Sequence, residues 1–123
     1  ALLSLQKRGG DEATVAFLGK VLSRRANRGK EKLLRATLKG LGGLYKRAAP
    51  AAAAIGLHLD HPSQRIRRLA AWALGRSRAP AGFPLLRRRL EEEKDPRTRG
   101  YLADALSFCG GRERQKARPS FCW

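Results

Sequence analysis

The sequence predicts an all-α chain, a short α-solenoid of stacked helical hairpins, and three observations carry that prediction. Alanine and leucine, the strongest helix formers among apolar residues, are abundant, and few β-branched residues compete with them. A motif recurs at an offset of 32–33 residues, the length of one helical hairpin per unit. Inside each copy the apolar residues fall on one face at helical spacing.

The repeat is read from aligned copies. Leu41-Gly42 falls on Leu74-Gly75 at an offset of 33, and Arg65-Ile66-Arg67 with Ala73-Leu74 falls on Arg97-Thr98-Arg99 with Ala105-Leu106 at 32. Leu5 with Gly9-Gly10 is a weaker echo. First helices are expected where Leu34, Thr37, Leu38 and Leu41 share a face. A second such face holds Ile66, Leu69, Ala70, Ala73 and Leu74, and a third holds Thr98, Tyr101, Leu102, Ala105, Leu106 and Cys109. Second helices are expected over 12–22 (Val15, Leu18, Leu22 inward), 49–59 (Ala51, Ala54, Ile55, Leu59) and 81–90 (Phe83, Leu86, Leu90). Ile66, Leu69, Leu74, Leu86, Leu102 and Leu106 should be buried, with no strand pair over 28–108.

Punctuation agrees with the period. Asp60-His61-Pro62-Ser63 and Lys94-Asp95-Pro96 each offer an N-cap acceptor and a proline near a first helical turn. Gly42, Gly75 and Gly110 stand where first helices should end in a left-handed cap. Pro50, Pro80 and Pro84 fall near the openings of second helices, where a missing N–H costs little. Residues 1–110 therefore read as a repeat array of about three to four units, first and last incomplete, and 111–123 as a basic C-terminal tail. Ala1 to Arg8 reads as the tail of a first helix.

Asp60-x-Pro-x-x-Arg-Ile-Arg67 followed by Leu-Ala-Ala-Trp-Ala-Leu-Gly75 resembles the HEAT-like repeat first described in phycobilisome lyases. Asp95-Pro-Arg-Thr-Arg99 with Ala105-Leu106 is similar, whereas the unit ending at Gly42 keeps the Leu-Gly end but lacks the Asp-Pro and the arginine pair. The resemblance implies a right-handed α-solenoid of HEAT-like hairpins. It says little about function, because such repeats serve adaptors, lyases and DNA-repair enzymes alike. Arg67 and Arg99, the motif arginines, are expected to tie hairpins together by pairing with a loop Asp.

Charge is the strongest functional signal. Lys+Arg 27 against Asp+Glu 10 gives a formal net charge of +17, and arginine predominates over lysine. A polyanion would relieve the self-repulsion of such a field, and the guanidinium fork suits bidentate phosphate contacts. Nucleic acid is the first candidate partner, an acidic protein the second and an anionic membrane the third; GC-rich codon usage is the alternative source of the arginines. No run of ~18 apolar residues occurs, so no membrane span is expected. The start is too short for a signal peptide, and Cys109 and Cys122 are too few for a disulfide scaffold. A cytoplasmic chain with free thiols and a buried Cys109 is expected.

Set against the repeat, the cations form two groups. Lys32, Arg35 and Lys39 share a stripe on one first helix, and the next copy carries Arg65, Arg68 and Trp72 at the same places, with Arg76 one turn on. Arg24 and Arg25 (with Lys20) end one second helix, and Arg87, Arg88 and Arg89 end another, where they also favour the helix dipole. Second helices are expected on the concave face, so the edge ladder and the concave cluster are both candidate contacts. Trp72 could stack on a base or simply pack on a neighbouring hairpin.

Catalysis is not expected. His58 and His61 have no carboxylate or cysteine at ligand spacing, so no metal site follows; Ser63 reads as a cap, and no Gly-rich phosphate loop or cofactor motif occurs. Trp72, Tyr101 and Asp104 are the only set that a HEAT-like DNA glycosylase could use, and nothing beyond the repeat supports bilin lyase chemistry. Glu91-Glu92-Glu93 reads as a loop neutralising Arg87–Arg89. The sequence thus points to a non-enzymatic scaffold contacting a nucleic-acid backbone, expected within a larger assembly of further repeats or subunits, with an adaptor for an acidic protein as the alternative.

Overall fold

The computed structural model describes residues 11–109. The expected helix tail at 1–8, the Gly110 cap, the basic tail 111–123 and Cys122 lie outside the described residues. Six α-helices follow one another: α1 (Asp11–Ser23), α2 (Glu31–Gly43), α3 (Ala52–Gly56), α4 (Gln64–Ser77), α5 (Gly82–Glu92) and α6 (Pro96–Cys109). Short 3-10 segments cover Arg25–Asn27 and Tyr45–Ala51, and no strand occurs among the described residues.

Helices α2, α4 and α6 pack side by side as one layer, with α4 in the middle. The second layer is α1, then the Tyr45–Ala51 segment running into α3, then α5. The helix expected over 49–59 thus opens as 3-10 winding, and its α-helical part is the short α3. Pro50 sits inside the 3-10 segment. Its ring would clash with the carbonyl of residue i−4 in an α-helix, and it has no N–H to give, so the tighter turn is the accessible one.

The leucines pack as the periodicity requires. Leu34, Leu38, Leu41, Ile55, Ile66, Leu74, Leu86 and Leu102 are buried in a single core. Leu69 and Leu106, expected inside, are only half-buried against it. Leu69 stands at the edge of the α4 stripe and opens onto a surface groove, while α6 is the last helix of its layer among the described residues and leaves Leu106 partly uncovered.

Two glycines have a different job from the expected one. The left-handed residues are Tyr45 and Arg78, both at φ 53, rather than Gly42 and Gly75. Gly42 and Gly75 lie within their helices and serve close packing. A Cβ on Gly42 would fall inside the Trp72 ring, and one on Gly75 would lie 2.8 Å from the Ala105 Cα. Small residues at these crossings let the three helices of the layer approach.

The connections at one end of the stack are tied together by polar side chains. His58 Nε2 bonds the Leu22 carbonyl at 2.8 Å, and His61 Nε2 bonds that of Arg28 at 2.7 Å while its Nδ1 accepts from the Ser63 N–H. Arg28 donates to the Leu57 carbonyl and pairs with Asp60. Asp60 is therefore not a helix cap; Ser63 caps α4, at a long 3.5 Å from the Ile66 N–H. At α6 the cap is Asp95, which accepts from the Thr98 hydroxyl and N–H; these bonds, with Arg68 and Arg67 nearby, hold its carboxyl below the usual range.

The motif arginines do tie hairpins together, but through different partners. Arg67 grips Glu93 with Nε and Nη2 and also donates to the His61 and Pro62 carbonyls. Arg99 donates to the carbonyls of Leu90 and Glu93. A glutamate reaches further than the loop aspartates, and Asp95 is already committed to Thr98.

Burial lowers the His58 pKa, and the ring is wholly enclosed with Nδ1 unpartnered. Unfolded chains therefore take up the proton more readily than folded ones. The stabilisation from neutral His58 is complete above the unfolded value of about 6.5 and is lost as pH falls below it. The denaturation midpoint should drop between pH 7.5 and 5.5, less so in His58→Gln; equal midpoints in the wild-type protein would contradict this. Cys109 is buried as expected, its Sγ donating to the Leu74 carbonyl at 3.2 Å. Burial pushes its thiol up to about 11, so at neutral pH it stays protonated and unreactive.

Candidate functional site

Five of the predicted ligand residues converge. Arg35 and Lys39 from α2, and Arg65, Arg68 and Trp72 from α4, line one open groove of about 630 Å³ together with Leu69 and with Tyr101 from α6. The groove lies across the layer α2–α4–α6, so the same close helix packing that builds the core sets its width. Arg35 and Lys39 are one turn apart on their helix, as are Arg65 and Arg68 on theirs, which brings cations from two hairpins to one opening.

Their charges are mostly uncompensated. Arg35, Lys39 and Arg65 have no carboxylate partner among the described residues, whereas Arg68 faces Asp95 at 3.7 Å. Lys39 and Arg65 are exposed and Arg35 and Arg68 half-buried. Lys32 is exposed at the start of α2 but is not part of the groove wall.

Trp72 and Arg76 are structural walls. The Trp72 ring occupies the space left by Gly42, and the Arg76 guanidinium lies 5.0 Å from its centroid. Arg76 also sits 4.2 Å over the Tyr45 ring and donates to the Gly42 carbonyl. Trp72 thus packs between α2 and α4, and Arg76 is committed to holding that junction. Tyr101, read from the sequence as part of a core face, is instead 40% exposed at the rim of the groove.

The second cationic group is more dispersed. Arg24 is exposed in the link after α1, and Arg25 opens the short 3-10 turn that follows. Arg87 and Arg88 are exposed on α5. Arg88 and Arg89 pair with Glu92, and Arg89 also with Glu93. Asp60 and Glu92 share the adjoining depression with Arg88 and Arg89, so carboxylates stand among these cations. Glu93 is more than a neutralising loop residue. Burial opposes its charge, but the Asp95 N–H, Arg67 and Arg89 outweigh that and hold its carboxyl below the usual range.

No group of three or more metal-ligating side chains occurs among the described residues. Trp72 and Tyr101 share the groove, but Asp104 is exposed outside its walls. What the arrangement can do is hold a polyanion by charge and by guanidinium forks. No helix among the described residues is long and apolar enough to cross a membrane.

Two layers of antiparallel hairpins repeating at a fixed offset define a helical-repeat scaffold. A family model for HEAT repeats matches residues 15–107, most of the chain, and the protein belongs to that family. No curated protein and no solved structure matches it.

Proposed function

We propose that this HEAT-repeat chain is a non-enzymatic binding scaffold that contacts a nucleic-acid phosphate backbone through the α2–α4–α6 groove. The observation that carries the reading is the convergence of Arg35, Lys39, Arg65 and Arg68 on one opening, with only Arg68 facing a carboxylate, in a chain of net charge +17. Phosphate contacts need cations at close spacing and little else, and they impose no base preference. The α5 arginines, interleaved with carboxylates, fit this role less well.

The test is the salt dependence of binding. With about four phosphates neutralised, the log–log slope of affinity against salt should be near −3.6 on duplex DNA. Lys39→Glu combined with Arg65→Glu should lower affinity and flatten that slope by about two. Both side chains are exposed, so stability should move by no more than about 0.5 kcal/mol per site. Arg87→Glu with Arg88→Glu should change the slope less. If the wild-type protein shows no salt-sensitive affinity for any nucleic acid, the reading fails and an adaptor for an acidic protein, in keeping with the scaffold character of HEAT repeats, replaces it.

A further inference from the structure

The groove does not end at Trp72. The Arg76 guanidinium lies over both the Trp72 and the Tyr45 rings, and Tyr45 borders a second opening of about 670 Å³. That opening is lined by Lys46, Arg47, Arg76 and Arg78 as well, without a carboxylate in its wall. Two cationic basins thus adjoin, with Trp72 in the wall of one, Tyr45 in the wall of the other and the Arg76 guanidinium in contact with both rings. Each has one exposed tyrosine: Tyr101 at 40% and Tyr45 at 55%.

Tyr45 is held in an unusual way. It is a bulky residue at φ 53, a left-handed conformation that glycine would adopt more easily, and Gly42 and Gly43 stand close before it. Its repeat counterpart is Arg78, also at φ 53 and 33 residues further on. Both left-handed positions therefore place a long side chain on the same end of successive hairpins. For Tyr45 the result is a ring backed on one face by Arg76 and open to solvent on much of the rest.

Resting on the backbone-binding reading above, we infer that the two basins form one track for a single nucleic-acid strand, with Tyr101 and Tyr45 as stacking platforms for unpaired bases. Exposed aromatic rings set among cations match what single strands offer, a phosphate chain and accessible base faces. A duplex keeps its base faces stacked inside and would leave both rings unused. The span along α4 from Arg65 to Arg76 is about 17 Å at the helical rise. A track of that length takes a short stretch of single strand. Trp72, whose ring is packed on Gly42 and Arg76, serves as the wall between basins and takes no base.

Fluorescence anisotropy on the full chain tests this, with labelled oligothymidylates of graded length and a duplex of mixed sequence as probes, at low and at physiological salt. Affinity should rise with oligonucleotide length and then level off once the track is filled. Tyr101→Ala and Tyr45→Gly should each weaken single-strand binding about tenfold, and duplex binding much less, while leaving the salt slope unchanged. Glycine at 45 suits the left-handed backbone, so the fold should tolerate it, and Tyr101→Phe should bind like the wild-type protein. Lys46→Glu should flatten the slope, which a merely structural residue would not do. If wild-type protein prefers duplex, or both tyrosine variants bind single strands normally, the single-strand inference falls while backbone binding stands. Absence of salt-sensitive binding to either probe overturns both.

Discussion

Glu93→Ala should cost about 3–5 kcal/mol of stability, because it removes a buried counter-charge. The carboxylate accepts from Arg67 Nε at 2.8 Å and Nη2 at 3.3 Å, from Arg89 at 3.3 Å and from the Asp95 N–H at 3.2 Å. Its side chain is 2% exposed, and those of Arg67 and Arg89 are 13% and 20%. Alanine would leave two enclosed guanidiniums without their counter-charge, and removing one partner of a buried pair costs far more than the pair itself contributes. For a domain of this size the melting temperature should fall by on the order of 20 °C. Glu93→Gln keeps the shape and one acceptor oxygen and should lose less. Because the folded carboxyl titrates below its ordinary range, its stabilisation is present above the unfolded value and disappears as pH falls through the folded one. A loss under about 1 kcal/mol for Glu93→Ala would show that this clamp is not what ties α4 to the end of α5.

Gly75→Ala should destabilise by about 1–3 kcal/mol despite the better helix propensity of alanine, and Gly75→Val by more. The added Cβ would stand 2.8 Å from the Ala105 Cα and 2.9 Å from its Cβ. Both are fixed by the α6 backbone, so relief requires α4 and α6 to move apart, which loosens the contacts of Ala70, Ala73, Leu102 and Ala105 together. Gly100→Ala is the contrast. It lies within α6 with nothing within 4 Å of the new methyl, so it should stabilise by about 0.5–1 kcal/mol. Thermal denaturation of the two variants side by side decides the matter: a stabilised Gly75→Ala would mean the helices are not in close contact there.

The division between what was readable and what was not follows from the range of the forces. Helix positions were legible because periodicity and propensity act within a few turns: Ile66, Leu74, Leu86 and Leu102 are buried as their spacing requires. The 3-10 opening of the helix expected over 49–59 was not legible, because a single ring, that of Pro50, outweighs the local apolar pattern. The charge ladder was legible in part. Spacing placed Arg35 with Lys39 and Arg65 with Arg68, and their joint groove follows from stacking the hairpins one repeat apart.

The sequence by itself determined the all-α class, the hairpin period, the apolar faces and the surplus of positive charge, because each is a property of neighbouring residues or of composition. Tertiary structure alone decided that Gly42 and Gly75 are points of helix contact, that Tyr45 and Arg78 carry the left-handed turns, and that Arg67 takes Glu93 as its partner. It also set Tyr101 at the mouth of the groove and used Trp72 as part of its wall, with Arg76 against the Trp72 ring. These outcomes depend on which side chain from another hairpin reaches the same few ångströms first, and spacing along one chain carries no information about that competition.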